Sequence, residues 1–363
     1  MNPQSEPLSR IHLSDVEFRS EVIYFLVLDR FFDGCKTNTG KCPELNDPEH
    51  QDWGKYWGGD LQGVLDKLDY LQQLGATAMW ITPLFEQVEA LEEASQRASM
   101  HGYWTRDFKR INERWVNDPD EVRLFSRQDT IFDRLLREIH QRGMKFILDI
   151  VCNHSSPKTG EGKGRIYDDG KLMADFENDH EFWYHHYGVV SNWEDEWQIQ
   201  NCELEGLATF NENNILYRRY IKEAMKCWLD KGVDALRIDT VKHMPIWFWQ
   251  EFTADLQTHK SDVFLFGEWI FNHPLNETSL QYANQGGMSL LDFGLCQSIR
   301  ECLGHQHPDG FKLVQSILNE DHRYRGANEL VTFFENHDMP RLQTLDARNE
   351  SVDLGLALIL TSR

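Results

Sequence analysis

The sequence predicts an α/β fold, a (β/α)8 TIM barrel with a subdomain inserted after its third strand, and three observations carry that prediction. Apolar runs of strand length alternate with segments of helical spacing, which argues for a parallel sheet with helical crossovers. No glycine-rich phosphate turn follows the first run, as a doubly wound sheet would require. Polar residues instead follow strands one, three, four, five and seven, and a barrel brings that many strand ends to one mouth.

In order, Val22 to Leu28 (VIYFLVL) is a continuous apolar run that suits a strand buried on both faces, ending in Asp29 and Arg30. A loop rich in Gly, Asn and Pro leads to a helix, with Leu61, Val64, Leu65, Leu68, Leu71 and Leu74 at helical spacing and Gly75 as its stop. Ala76 to Ile81 is the second strand. Glu86 to Asn117 reads as a long irregular tract containing HGYWTRDF, and loops of that length tend to be functional. Phe132 to Ile139 is helical, and Lys145 to Val151 is a third strand running into Cys152, Asn153 and His154. Periodicity then fails from Ser155 to Asn214, so the chain divides into a first barrel part at 1–154, an inserted subdomain at 155–214 and a second barrel part at 215–363. The second part predicts a helix from Tyr217 to Asp230, a strand from Gly232 to Asp239 and a helix from Pro245 to Thr258. Strands at Asp262 to Gly267, Ser289 to Phe293 and Leu330 to Phe334 follow, and a helix begins at Leu354. The chain stops there, so the expectation is a piece lacking an eighth strand, unstable or inactive by itself.

With 363 residues, 40% of them hydrophobic, the chain can bury a large core, and its net charge of −22 argues against nucleic acid or an anionic membrane as partner. A neutral substrate fits better. The N-terminus has no basic segment followed by an apolar run, and no stretch approaches a membrane span, which predicts a cytoplasmic protein. Seven cysteines without CxxC spacing signal neither a disulfide framework nor zinc; free thiols are expected, with Cys35 and Cys42 able to form a loop bridge only in an exported protein.

Chemistry concentrates in GVDALRIDTVKH, Gly232 to His243, where strand alternation puts Arg237 and Asp239 on one face. That pair is either a structural ion pair or the start of a site. Barrel geometry adds Glu268 and Asp338 from two other strand ends, together with His154 and His337. Glycoside hydrolysis needs such a set: one carboxylate to attack the anomeric carbon and a second, kept protonated, to give its proton to the departing oxygen. Arg237 beside Asp239 predicts a depressed pKa and an ionised nucleophile, while the apolar run before Glu268 predicts a raised one and an acid/base.

The segments DIVCNH (Asp149 to His154), GVDALRIDTVKH, GEW (Gly267 to Trp269) and ENHD (Glu335 to Asp338) resemble, in order, the signatures of the α-amylase family of glycoside hydrolases and transglycosidases. DRFFDG, WGGDLQG, HGYWTRDF, VKHMP, MSLLDFGL and LVTFFENHDMPR are most similar to its cyclodextrin glucanotransferase and maltogenic amylase branch. The resemblance implies Asp239 as nucleophile, Glu268 as acid/base and Asp338 as a carboxylate bonding sugar hydroxyls in the transition state. It implies that Arg237 orients the nucleophile, that His154 and His337 contact the sugar, that Tyr103 stacks beneath it, and that Lys242 and His243 hold the sugar on the leaving side. Asp149 and Trp104 are read as structural.

The resemblance also implies calcium, held by Asn153 and the His243 backbone, and at a second place by Asp33, Asn38, Gly58 and Asp60. Two positions depart from the pattern: Thr209 stands where the first site has a carboxylate, with Glu203 or Glu205 as substitutes, and Cys35 where the second often has Asn. Transferases of the branch place aromatics on the acceptor side, and here those positions are Ile270 and Glu205. The expected function is therefore a retaining hydrolase of α-1,4-glucans or maltooligosaccharides. The alternatives are a 4-α-glucanotransferase and a non-catalytic carbohydrate-binding protein. Family members continue into an eighth strand and a β-sandwich domain.

Overall fold

The structure, a computed structural model, describes residues 18–40 and 42–363. The N-terminal stretch read above for a leader lies outside them, apart from Phe18. Ten strands occur among the described residues: β1 (Ile23–Leu26), β2 (Ala78–Ile81), β3 (Phe85–Gln87), β4 (Thr105–Ile111), β5 (Lys145–Val151), β6 (Ile166–Asp168), β7 (Lys171–Ala174), β8 (Ala235–Asp239), β9 (Phe264–Gly267) and β10 (Ser289–Leu290). Six of them form a sheet in the order β1-β2-β5-β8-β9-β10, and each neighbouring pair is parallel. Helical crossovers join them: α1 (Leu61–Asp66) and α2 (Leu68–Gln73) between β1 and β2, then α3 (Ile131–Gln141), α4 (Glu196–Asn201), α5 (Ile215–Lys231), α6 (Ile246–His259) and α7 (Glu277–Gln285) before β10. After β10 come α8 (Phe293–Ile299), α9 (Gly310–Leu318) and α10 (Asn349–Thr361).

Alternation along the strands sorts the core into two layers. Ala78, Trp80, Ile147, Ala235, Phe264 and Phe266 point to the concave side and pack together. Met79, Leu148, Ile150, Leu236, Ile238 and Leu265 point outward into a larger cluster with Leu135, Ile139, Ile221, Met225 and Phe252 of the helices. This is a barrel wall in which the inner strands β2, β5, β8 and β9 are covered on both faces.

Several elements differ from the sequence expectation, each for a local reason. The seventh strand, expected from Leu330 to Phe334, reduces to one parallel bridge between Leu291 and Val331. Ile23, Tyr24 and Phe25 of β1 are only partly buried, because β1 stands at a sheet edge. The single helix expected at 61–74 breaks at Lys67, whose φ of −108° and ψ of 8° leave the helical region. The tract from 86 to 117 contains most of β3 and all of β4, which join β6 and β7 in a second sheet of order β3-β4-β6-β7. Its bulged β3–β4 pairing and mixed parallel and antiparallel ladders leave little period-2 pattern to read. All seven cysteines are free, and no helix among the described residues is long and apolar enough to cross a membrane.

The loop after β1 lies directly on α1. A Cβ at Gly63 would sit 1.7 Å from the Phe32 carbonyl oxygen. Gly63→Ala should therefore lose stability by about 2 kcal/mol or more, since backbone and not a flexible side chain must move. Urea denaturation of the two proteins measures it, and an unchanged midpoint would contradict the close approach.

Candidate active site

Strand register assembles the polar centre. Asp149 on β5 lies opposite Arg237 on β8, Val151 lies opposite Asp239, and Ile238 lies opposite Gly267 on β9. Glu268, one residue past β9, donates its backbone N–H to Ile238 at 2.7 Å and so comes beside Asp239. Only glycine fits before it, because a Cβ at Gly267 would meet Val241 Cγ2 at 2.5 Å and Met288 Sδ at 2.8 Å.

Arg237 is fully buried and faces three carboxylates. Its Nη1 lies 2.9 Å from Asp149 Oδ1 and 2.9 Å from Asp239 Oδ1, and its Nη2 lies 2.8 Å from Glu268 Oε2. Asp149 is tied further by the Tyr103 hydroxyl at 2.7 Å and the Trp80 indole N–H at 2.8 Å, both donating to Oδ2. A buried charge needs such partners, and here each one also aims a group toward the concave side.

Burial dominates the proton affinities. It raises the Glu268 carboxyl, against the pull of Arg237 and with a further push from Asp239, which agrees with the expectation for an acid/base. Asp239 was expected to be depressed, and that expectation fails. Burial raises it, Arg237 only partly offsets the rise, and Asp338 adds to it. Both acids are thus held above the ordinary carboxylate range, mainly by burial. Asp149 is pushed up to about 7 by burial, again against Arg237, and Asp338 to about 6 by burial and Glu268.

Of the expected sugar contacts, Tyr103 and His337 adjoin this centre. The His337 ring lies parallel to Tyr103, with centroids 5.8 Å apart, and its Nε2 is 3.5 Å from Asp338 Oδ2. Burial lowers His337 to about 4 and His154 to about 3, so both are neutral donors or acceptors near pH 7. Glu268 Oε1 and His337 Nδ1 are buried polar atoms without a protein partner, the arrangement expected where a ligand hydroxyl completes the hydrogen bonding. Lys242 and His243 lie on a 3-10 turn after β8, entered through Thr240 at φ 51°. The His243 ring bonds the Ile199 carbonyl at 3.0 Å, which turns it toward α4.

The donors expected for calcium make protein hydrogen bonds. Asn153 donates from Nδ2 to the His243 carbonyl at 3.0 Å, Thr209 donates to the Cys202 carbonyl at 3.4 Å, and Glu203 is held by Lys163 at 2.8 Å. At the second set, Asp60 accepts from the backbone of Gly34, Cys35 and Gly63 and from Asn38 Nδ2, while Lys36 lies 2.9 Å from Asp33. Only Asp33 Oδ1 is left without a partner there, and calcium takes six to eight oxygens. Among the described residues no group of three or more His, Cys, Asp or Glu could hold a metal ion. Asn153 and the His243 carbonyl do lie side by side, and no step below passes through calcium.

Two contributors escaped the sequence reading. Trp80 lies in an apolar strand where its indole looks like core, yet its N–H serves Asp149. His101, lowered by burial to about 3, accepts from the Tyr103 backbone at 3.0 Å and stacks on that ring at 5.6 Å. HGYWTRDF carried the signal, but only the tertiary contact gives His101 a task. Removing the common acceptor should be costly: Asp149→Ala takes the acceptor from Tyr103 and Trp80 and one of three carboxylates from Arg237, a loss of about 3–5 kcal/mol. A denaturant midpoint within error of the parent would show that water or repacking replaces the carboxylate.

Comparison with known proteins identifies the family. The family model described as the catalytic domain of alpha amylase matches residues 25–362. The chain is 38% identical over 360 residues to a cyclomaltodextrin glucanotransferase of Bacillus sp. (strain 1-1), covering 96% of this chain and 48% of that protein. It is 37% identical over 363 residues to the Geobacillus stearothermophilus enzyme of the same name, covering 97% of this chain and 49% of that one. The chain thus spans about half the length of the curated relatives it matches. Among solved structures, CldA, a cyclomaltodextrin glucanotransferase with a three-domain ABC distribution, superposes with a TM-score of 0.85 at 35% identity, over 93% of this chain and 69% of that one. With the match running from β1 to α10, the chain belongs to the alpha-amylase catalytic domain family, whose fold is the (β/α)8 barrel.

Proposed function

We propose that the protein acts on α-1,4-glucans or maltooligosaccharides through a covalent glycosyl-enzyme, with hydrolysis as its main outcome. The observation that carries this reading is the Asp239–Glu268 pair, both held within 3 Å of the one Arg237 guanidinium. Two carboxyl groups sharing one guanidinium suit the roughly 5–5.5 Å spacing of retaining enzymes better than the roughly 6.5–9.5 Å gap of inverting ones, which supports retention. Asp239 attacks the anomeric carbon as the glycosidic C–O bond breaks. Glu268 gives its proton to the leaving oxygen, then takes one from the incoming water, and Asp239 departs. Asp338 and His337 are placed to hold sugar hydroxyls as charge builds on the ring.

The acceptor decides between hydrolysis and transfer. Ile270 packs partly buried beside the concave core, and Glu205 offers an exposed carboxylate, so neither gives a sugar acceptor a ring to stack on. A second reading, transfer to a sugar, is favoured by the names of the curated relatives, which are cyclomaltodextrin glucanotransferases, and by Phe271. That ring is 63% exposed on a residue with φ 59°, one position beyond Ile270.

Chromatography of products from maltoheptaose separates the two. Early shorter linear maltooligosaccharides support hydrolysis, and cyclic or longer products support transfer. Glu268→Gln should lower turnover on maltoheptaose by roughly 10²–10⁴-fold, while α-maltosyl fluoride, whose leaving group needs no proton, should still react. Equal loss on both substrates would remove Glu268 from the acid role. The rate of glycan cleavage should fall as pH rises through the elevated Glu268 value. It should fall again below the elevated Asp239 value, where the nucleophile gains a proton, so both limbs of the kcat/KM profile sit above the ordinary carboxylate range. An acid limb near the unperturbed aspartate value would contradict the buried setting of Asp239.

A further inference from the structure

The acids of the site reach it from unequally secured backbone. Asp239 ends β8, which is paired on both sides, and Glu268 donates its N–H to Ile238 at 2.7 Å. Asp338 has no ladder behind it. After the single bridge at Val331, no backbone-to-backbone hydrogen bond holds residues 332–340 among the described residues. The Asp338 N–H turns instead to Asn336 Oδ1 at 3.0 Å, inside the same loop, and its side chain, 48% exposed, meets His337 Nε2 at 3.5 Å. Neither contact ties the loop to the barrel.

Arg300 supplies that tie from the helical layer. It follows α8 directly, at the start of a π-helical turn (Arg300–Gly304), and is partly buried. Its Nη1 donates to the Phe334 carbonyl at 3.1 Å and its Nη2 to the Pro340 carbonyl at 2.9 Å. Those two carbonyls bracket the stretch that carries Asn336, His337 and Asp338. Phe334 and Leu342 share an apolar cluster with Leu295, Ile299 and Leu303, so both roots of the loop rest on the helix from which Arg300 projects. A guanidinium presents its donors in a rigid planar fork, and here the fork spans the mouth of the loop.

We propose that Arg300 is a positioning residue: by joining the two ends of the 334–340 loop it sets Asp338 and His337 at the acid pair, without touching substrate itself. The inference rests on the glucan reading above and deepens it, adding a residue outside the barrel mouth to the machinery that holds the sugar ring as charge builds. A displacement of about 1 Å in such a group costs on the order of 10²-fold in rate.

The test compares the native protein with Arg300→Ala and Arg300→Lys on maltoheptaose and α-maltosyl fluoride, each with and without Asp338→Asn. Arg300→Ala should lower kcat by roughly 10- to 100-fold on both substrates, with KM changed less than about threefold. Loss on the fluoride as well assigns the defect to Asp338 and not to proton donation. In the Asp338→Asn background the same substitution should cost at most about threefold, because residues that act through one another are not additive. Arg300→Lys keeps the stem and the charge but has one ammonium for two carbonyls; it should fall between the alanine variant and the native protein, and it carries the test if Arg300→Ala does not fold.

An unchanged kcat, a change confined to KM, or a loss as large without Asp338 as with it would overturn the positioning role. Deuterium exchange of the Asp338 and Leu342 amides, which bond Asn336 and Glu335 side chains within this segment, reads the brace without turnover. Both amides should exchange faster once Arg300 is replaced. Turnover by the native protein with unchanged exchange in the variants would overturn the brace alone. Faster exchange in a protein whose native form turns over neither sugar would support the brace and overturn the glucan reading, and unchanged exchange in such a protein would overturn both.

Discussion

One buried guanidinium organises the centre of this molecule. Arg237 lies at the core end of β8 with three carboxylates around it and no solvent to share their charge. Isolated in the interior, any of these groups would take a different protonation state or force the wall apart. Together they compensate. Asp149 anchors the far side of the cation and gathers the Tyr103 and Trp80 donors, so the arginine has few other positions to adopt. The two remaining acids are then presented toward the concave side, both raised by burial.

That arrangement depends on backbone register more than on side-chain reach. Parallel pairing of β5, β8 and β9 sets Asp149, Arg237 and the Gly267–Glu268 junction level with one another, and a slip of one residue would send each to the helix-covered face. Close packing at Gly267 defends the register from below. A second set of contacts fixes segment 196–210 on the barrel. Asn153 reaches the His243 carbonyl, His243 reaches Ile199, and Phe210 donates to the Asn153 carbonyl at 2.8 Å. Neutral hydrogen bonds close this junction, and Thr209 stands in it as a hydroxyl and not a charge.

The barrel wall was largely legible in the sequence because its strands are buried on both faces and read as unbroken apolar runs, as in Lys145 to Val151 and Asp262 to Gly267. Legibility failed where that condition failed. Around Val331 an equally apolar run makes only a single bridge, since a run specifies burial but not the partner that completes a ladder. The second sheet was missed because bulges and mixed pairing erase its period. Among site residues, the acids and Arg237 stood out as charges at the ends of apolar strands. Trp80 did not, because an indole in a core strand looks the same whether or not its N–H has work.

The sequence by itself determined the strand-and-helix alternation, the family, and the identity of the acids at the strand ends, because these are local properties of pattern and residue type. Tertiary structure alone decided their protonation. A cation next to an acid in sequence suggested a lowered Asp239, but burial of the whole cluster outweighs one neighbouring charge and raises it. Desolvation is a property of everything packed around a group, and the groups that act on Asp239 besides it, Glu268 and Asp338 among them, come within reach only in the folded chain.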